Sequence, residues 1–436
     1  MEIKLADPKR FLSEEFHLYF QILKNQEKQI EALQKTATSS QKGKARINSL
    51  IAAKEHNLQL IARIVADLRP QMDLDYVLSI PMKSNSWRGQ HNTHAYLKDF
   101  RYMRRDWCGL SDSEEQVSQI IQSLRTRCAE YCPDLDSALF LGAGLARIAF
   151  EHNDLFQKVY ALDRSYSMVH HFHQLLREDM DFYEIHEFNV LKAADSTRRL
   201  TASIQYASEE AIAHKDRFQY FIGDAMDLPF EAASLSCIAS VYFTDVLALK
   251  LYFSELQRVL KPGGLFIHFG PLDYFFSDRG AMLSAEEYKD EFEANGFETL
   301  YEETMVLPHL PSDLLMTKRH YTNWFFVARK KASLAPSFDQ ERIYEIDQPV
   351  YIQEKKQLGQ AEPHSIELIN KNGLTFEGGS SVLALLEKID GKTSMTDVLG
   401  KIAAEYELQE EERSGLRAFF EQLLQQGFIR EKAGEE

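Results

Sequence analysis

FLGAGLARIAFE, residues 140–151, places Gly142 and Gly144 directly after an apolar run and directly before a helical pattern. Glycines remove side chains where backbone must approach a ligand, and a helix start offers free N–H groups beside them. A lone G-x-G carries little. Its meaning comes from the next apolar run, KVYALD, which ends at Asp163, 21 residues after Gly142. An acid at that place can accept hydrogen bonds from both hydroxyls of a ribose.

Working outward, SALFLGAG, KVYALD, FQYFIGDA, LSCIASVYF and GGLFIHFG are short apolar runs separated by helical segments. Such alternation predicts crossover units and a mostly parallel sheet. ETLYEETMVL and NWFFVARKK read as closing antiparallel strands, and the polar insert from Asp181 to Lys215 reads as helical. After the third run, Asp224 is placed to accept from an adenine amino group while the Ala225 N–H serves a ring nitrogen. Nicotinamide enzymes usually carry a third spaced glycine, and here Ala146 and Arg147 stand in that neighbourhood. The ordered set predicts a class I methyltransferase fold, an α/β Rossmann-like sheet binding S-adenosyl-L-methionine over residues 135–331.

The flanks read differently. Apolar positions recur at three and four through residues 13–70, predicting a helical hairpin within an N-terminal region 1–134. Its expected role is a packing cap, with a pocket wall or an oligomer contact as the other options. ASLAPSFDQ reads as a linker after Lys331, and residues 340–436 show strands followed by three helices, a small winged-helix (α+β) pattern. Acidic residues outnumber basic ones there, which opposes DNA reading. The whole chain of 436 residues carries a formal net charge of −16, so broad phosphate-backbone binding is not expected. No long apolar stretch or signal-like start stands out, predicting a cytoplasmic protein without a membrane partner. The four cysteines, Cys108, Cys128, Cys132 and Cys237, read as packing residues, and no metal site is expected.

The combination DFRYMRRDW, GAGLARIAFE, ALDRSYSM, GDAMDL, VYFTDV, LKPGGLFIHFGPLDYFF and HYTNWFFVARK resembles the carnosine N-methyltransferase group from about Asp99 to Lys331. The resemblance implies methyl transfer to an imidazole nitrogen of a histidine-containing small molecule or peptide. It implies Arg105 at the methionine carboxylate of the cofactor, Asp245 facing the imidazole, and Tyr274 and Tyr321 around the substrate. One departure stands out. Phe275 occupies the place of a histidine that follows the GPLxY tyrosine in the carnosine enzymes, so the dipeptide loses a hydrogen-bond partner. Asp273 adds a carboxylate nearby, and His320 is a neighbouring imidazole, whereas His268 on its strand reads as structural.

A neutral imidazole attacks a methyl sulfonium with little acid–base help, so alignment is the main task. A carboxylate at Asp245 would fix the tautomer and stabilise the developing imidazolium. The C-terminal segment resembles, more weakly, PqqD-like domains that bind leader peptides of ribosomally made peptides. That resemblance implies an alternative, leader-guided methylation of a peptide. A further alternative is an inactive peptide-binding protein on a methyltransferase scaffold. Expected partners are the imidazole substrate, a leader peptide at the C-terminal domain and, as an option, a second copy in a homodimer.

Overall fold

The computed structural model describes residues 1–80, 95–331, 340–355, 365–370, 375–378 and 381–432. Strand β1 is Glu2–Lys4, and the helical hairpin follows as α1, Pro8–Gln34, and α2, Gln41–Leu68. Asp7 starts α1 by accepting from the Arg10 N–H at 2.9 Å with proline in the first turn, and Ser40 caps α2 through the Gly43 N–H. The buried positions of α2, among them Ile47, Leu50, Leu60, Ile61, Ile64 and Leu68, follow the three-and-four spacing of one helix face. Helices α3, Leu74–Ser79, α4, Ala95–Trp107, and α5, Ser111–Tyr131, lead into the sheet.

The sheet chain then runs β2, Ser137–Leu141, α6, Arg147–Phe150, β3, Lys158–Asp163, and α7, Tyr166–Leu175. Next come β4, Met180–Ile185, β5, Thr197–Ala202, α8, Glu209–Ala213, β6, Phe218–Gly223, and β7, Leu235–Val241. The last elements of this unit are α9, Phe253–Val259, β8, Leu260–Gly270, α10, Ala285–Ala294, β9, Phe297–Pro308, and β10, His320–Lys330. Strand order is β1-β6-β3-β2-β7-β8-β10-β9, with β10 antiparallel to both neighbours and the first six strands parallel. This is the sheet expected for a class I methyltransferase fold, with the N-terminal β1 added at its edge.

Both faces of the central strands are buried, so their sequences are continuously apolar. Ala138 and Phe140 of β2 pack into one core with α1, α2, α4, α5 and α7, while Leu139 and Leu141 pack into a second with α9 and α10. The expected helical insert is instead a β4/β5 hairpin, with α8 only five residues long. Burial alternates residue by residue along β4, and that period of two, rather than overall polarity, decides the strand. The hairpin packs on the helices: Asn57 of α2 exchanges two hydrogen bonds with the Tyr183 backbone, at 2.7 and 2.8 Å.

The chain divides into two compact units, Met1–Lys331 and Ala332–Glu436, so the N-terminal helices belong to the same unit as the sheet. The second unit pairs β11, Tyr344–Ile346, with the closing β15, Ile429–Glu431. Between them lie a three-stranded antiparallel sheet, β12, Tyr351–Lys355, β13, Ser365–Ile369, and β14, Thr375–Gly378, and three helices. These are α11, Ser381–Leu386, α12, Met395–Glu405, and α13, Glu410–Gln425, around a core of Leu368, Phe420, Leu423 and Phe428. The linker read after Lys331 falls outside the described residues. Among those described, no helix is long and apolar enough to cross a membrane.

Candidate active site

The chain moves outward from β2 to β3 and β6, then crosses back to β7 and β8, which makes the gap between β2 and β7 the switch point of the sheet. Ligands of such sheets bind there, beyond the carboxyl ends of the strands. Gly142 and Gly144 follow β2 with φ of +56° and +58°. A Cβ on Gly142 would drive into the Phe243 ring, whereas one on Gly144 would meet nothing within 4 Å. The first glycine is therefore demanded by packing, and the second faces open space that a ligand can fill.

Asp163, at the end of β3, holds this turn. Its Oδ2 accepts from the Gly144 N–H at 2.8 Å and its Oδ1 from the Ser165 N–H at 2.8 Å. Burial raises its pKa. The two backbone bonds orient the carboxylate and leave further lone pairs for a ligand's hydroxyls. Asp224, just past β6, is ion-paired to Arg164 and accepts from the Met226 N–H at 3.0 Å, with Ala225 buried beside it. Gly142, Gly144, Asp163, Asp224 and Ala225 therefore gather along one strand edge.

Two arginines of α4 part ways. Arg104 binds away from the turn, to Asp112 at 2.7 Å and Glu184 at 3.0 Å. Arg105 is buried and paired with Asp106 through two hydrogen bonds of 2.5 and 3.0 Å, with Tyr102 over its guanidinium at 5.1 Å. Burial raises the Tyr102 pKa, and Tyr102, with its ring against Arg105, also lines the cavity that holds Asp245.

The second half is a cavity of about 1100 Å³. Asp245, Phe275, His320 and Tyr321 of the expected set line it, joined by Tyr242 and His309, which the sequence reading passed over. Asp245 is 5% exposed, and its buried Oδ1 has no hydrogen-bond partner among the described residues. Desolvation, with a smaller push from Asp273, raises its pKa to about 7. The Asp245 carbonyl accepts from the Phe275 N–H at 2.8 Å, which ties the loop after β8 to the loop after β7. The Tyr321 hydroxyl donates to Asp273 at 3.2 Å, and the His309 ring lies 4.5 Å from Tyr321 and 5.6 Å from Tyr242.

Tyr274, expected around the substrate, sits elsewhere, while His268 keeps the structural place read for it. The Tyr274 hydroxyl donates to the Leu283 carbonyl at 2.7 Å, bracing the loop it belongs to rather than lining the cavity. His268 is fully buried, bonded to Thr244 at 3.1 Å, with a pKa lowered to about 4 by desolvation, as a structural histidine should be. The helical hairpin supplies Gln29, Leu33 and Lys54 to the cavity wall, so it is more than a packing cap. Tyr242 carried one late signal, a positive φ of 54° in a tyrosine directly after β7, visible only in three dimensions.

Residues 85–332 match the family described as carnosine N-methyltransferase, more than half of the chain. The chain belongs to the carnosine N-methyltransferase family. The rat carnosine N-methyltransferase is 28% identical over 245 residues, covering 52% of this chain and 60% of the rat protein. The Dictyostelium discoideum carnosine N-methyltransferase is 27% identical over 198 residues, 43% of this chain and 42% of that one. The match thus spans about 60% of the length of the rat and mouse relatives. Among solved structures, a putative methyltransferase from Bacillus halodurans aligns with 48% of this chain and 99% of its own at a TM-score of 0.33 and 13% identity. The family span includes α4, strands β2 to β10 and the β9–β10 loop, but edge strand β1 and the cavity wall from α1 and α2 lie outside it.

Proposed function

We propose that this chain transfers a methyl group from S-adenosyl-L-methionine to an imidazole nitrogen of a histidine-containing acceptor. The single observation that carries the reading is Asp245: a buried carboxyl with an unpartnered oxygen, on the wall of a cavity beside the strand edge of a carnosine N-methyltransferase family member.

The residues at the strand edge fit the cofactor. Gly144 leaves a space a Cβ would fill, Asp163 is oriented for a ribose, and Asp224 with the Ala225 N–H suits an adenine. Arg105 would meet the amino-acid end, with Asp106 holding its fork in place. Bound there, the cofactor supplies an electrophilic methyl on a cationic sulfur.

Everything else falls to the chain's own side chains. Asp245 accepts the N–H of one ring nitrogen and so presents the lone pair of the other toward the cofactor half. Its carboxylate is desolvated and short of partners before reaction, and it gains a full ion-pair partner as positive charge appears on the ring. Stabilisation that grows along the reaction lowers the barrier, whereas uniform binding does not. Tyr242, His309 and Tyr321 give the ring aromatic walls, and Asp273 holds the Tyr321 hydroxyl.

The test is incubation of the purified chain with S-adenosyl-L-methionine and histidine-containing compounds, followed by mass spectrometry that locates the added methyl. A methyl on an imidazole nitrogen is the expected product. Methylation at a carboxylate, amine or thiol instead, with imidazoles untouched, would reject the reading.

A further inference from the structure

The acceptor cavity is larger and more cationic than a single imidazole requires. At about 1100 Å³ it lies just above the roughly 300–1,000 Å³ usual for small-molecule sites. None of the glycines and acids of the cofactor half lines it, so that volume belongs to the acceptor.

Its charges are unbalanced. Lys54 on the wall is matched by Glu187 at 2.7 Å. Arg101, Lys318 and Arg319 also line the cavity and have no carboxylate partner among the described residues; Lys318 bonds only the Ser312 carbonyl, and Arg319 reaches only the Tyr321 hydroxyl, at 3.4 Å. Against these three cations stands Asp245. In a chain whose formal net charge is −16, a wall of unpaired cations is a local reversal of sign.

The mouth of the cavity is apolar and open. Phe188 is 80% exposed, Phe275 59% and Val246 53%, and all three line the cavity. Phe188 is carried by the turn of the β4/β5 hairpin, which is clasped to the β9–β10 loop: the Met316 N–H donates to the Asn189 carbonyl at 2.9 Å, and Val190 bridges Leu315. The rim is therefore a held surface, and exposed aromatic side chains on such a surface suit contact with a second chain.

From these features we infer that the natural acceptor is a histidine within an acidic polypeptide segment, its imidazole at Asp245, its carboxylates along Arg101, Lys318 and Arg319, and an apolar neighbour against Phe188 and Phe275. The inference rests on imidazole methylation at Asp245 and deepens it. It also accounts for Phe275, because a polypeptide needs an apolar contact at the rim where a free dipeptide needs a hydrogen-bond partner.

The experiment compares four acceptors with the full chain: carnosine, N-acetylhistidine amide, a short peptide with histidine among Asp, Glu and Phe, and the same peptide with Lys in place of the acids. The acidic peptide should show KM about tenfold below that of the lysine peptide, as a few partly screened ion pairs supply, and the advantage should shrink in high salt. Phe188→Ser and Lys318→Glu should raise KM for the acidic peptide far more than for N-acetylhistidine amide, a split that a merely structural role would not produce. Equal kcat/KM for the two peptides, or a higher value for carnosine than for the acidic peptide, would overturn the inference while leaving imidazole methylation standing. Methylation of none of the four would overturn the imidazole reading itself, and this inference with it.

Discussion

Asp245 couples activity and stability in opposite directions. Burial holds its pKa at about 7, above the 3.8 of a free carboxyl, so between those values the folded chain binds a proton that the unfolded chain does not. Stability therefore falls as pH rises through that window, by at most about 4 kcal/mol. Asp245→Asn should raise Tm at pH 8 and lose that advantage near pH 4, and should lower kcat by orders of magnitude at pH 8 but little near pH 4, where the unaltered carboxyl is itself protonated; thermal melts and single-turnover rates check it. In the unaltered chain kcat/KM should climb with pH through about 7 and level above it, because in the proposed reaction the carboxylate form accepts the ring N–H. With Asp245→Asn only the acceptor's own titration, near 6.5, should remain in the profile. The two glycines separate packing from binding in the same way. Gly144→Ala meets no neighbour, so it should cost only the roughly 1–2 kcal/mol of a left-handed alanine while weakening cofactor binding sharply; Gly142→Ala, aimed at Phe243, should destabilise more. Calorimetric titration with S-adenosyl-L-methionine beside denaturant unfolding distinguishes the two.

Among the elements, the β4/β5 hairpin and the β9–β10 loop behave as one structure because a buried ion cluster joins them. Arg104 of α4 pairs with Glu184 of β4, with Asp112 in the first turn of α5, and with Asp313 and the Pro311 carbonyl of the loop, at 3.0, 2.7, 3.2 and 2.5 Å. Burial pushes the Glu184 carboxyl up, but the His186 hydrogen bond and the charges of Arg104 and Arg198 outweigh it and bring the pKa to about 2. Its contribution to stability is thus present above the pKa of a free glutamate and is lost as pH falls toward 2. Arg104→Met removes one of the two arginines at Glu184 while His186, Arg198 and Ser312 stay bonded to it, so it should cost less than the roughly 3–5 kcal/mol of a buried ion pair broken outright, read in denaturant unfolding. Since that cluster also holds the loop that carries Lys318 and Arg319, KM for the acceptor should rise more than kcat falls. The hairpin α1–α2 reaches the same cavity from the other side through Gln29, Leu33 and Lys54.

For the whole molecule, each of the two units has its own buried core, so a chain ending at Lys331 should keep the sheet, the cofactor half and the acceptor cavity. Circular dichroism melts and methylation of N-acetylhistidine amide should show that chain folded and active, and loss of both would mean that the second unit stabilises the first. The parallel sheet, the glycine turn and the acids Asp163 and Asp224 were legible in the sequence, because short-range patterns encode them: buried strands are continuous apolar runs, and a turn must have glycine where backbone is left-handed. The insert after Asp181 was misread because polarity was weighed above its alternating period, a signal that was present. Other features were not encoded locally at all. Tyr242, His309 and Lys54 share a cavity only because three distant segments fold over one strand edge, and the sequence separates them by more than 250 residues between Lys54 and His309. Tyr274 and His268 sit in the same motif neighbourhood as the cavity residues, yet a bond to Leu283 and one to Thr244 turn them to structural tasks. The raised pKa of Asp245 belongs to this second kind. Sequence alone determined that an acid follows the fourth core strand; only tertiary packing, by removing water and leaving one oxygen without a partner, decided what that acid can do.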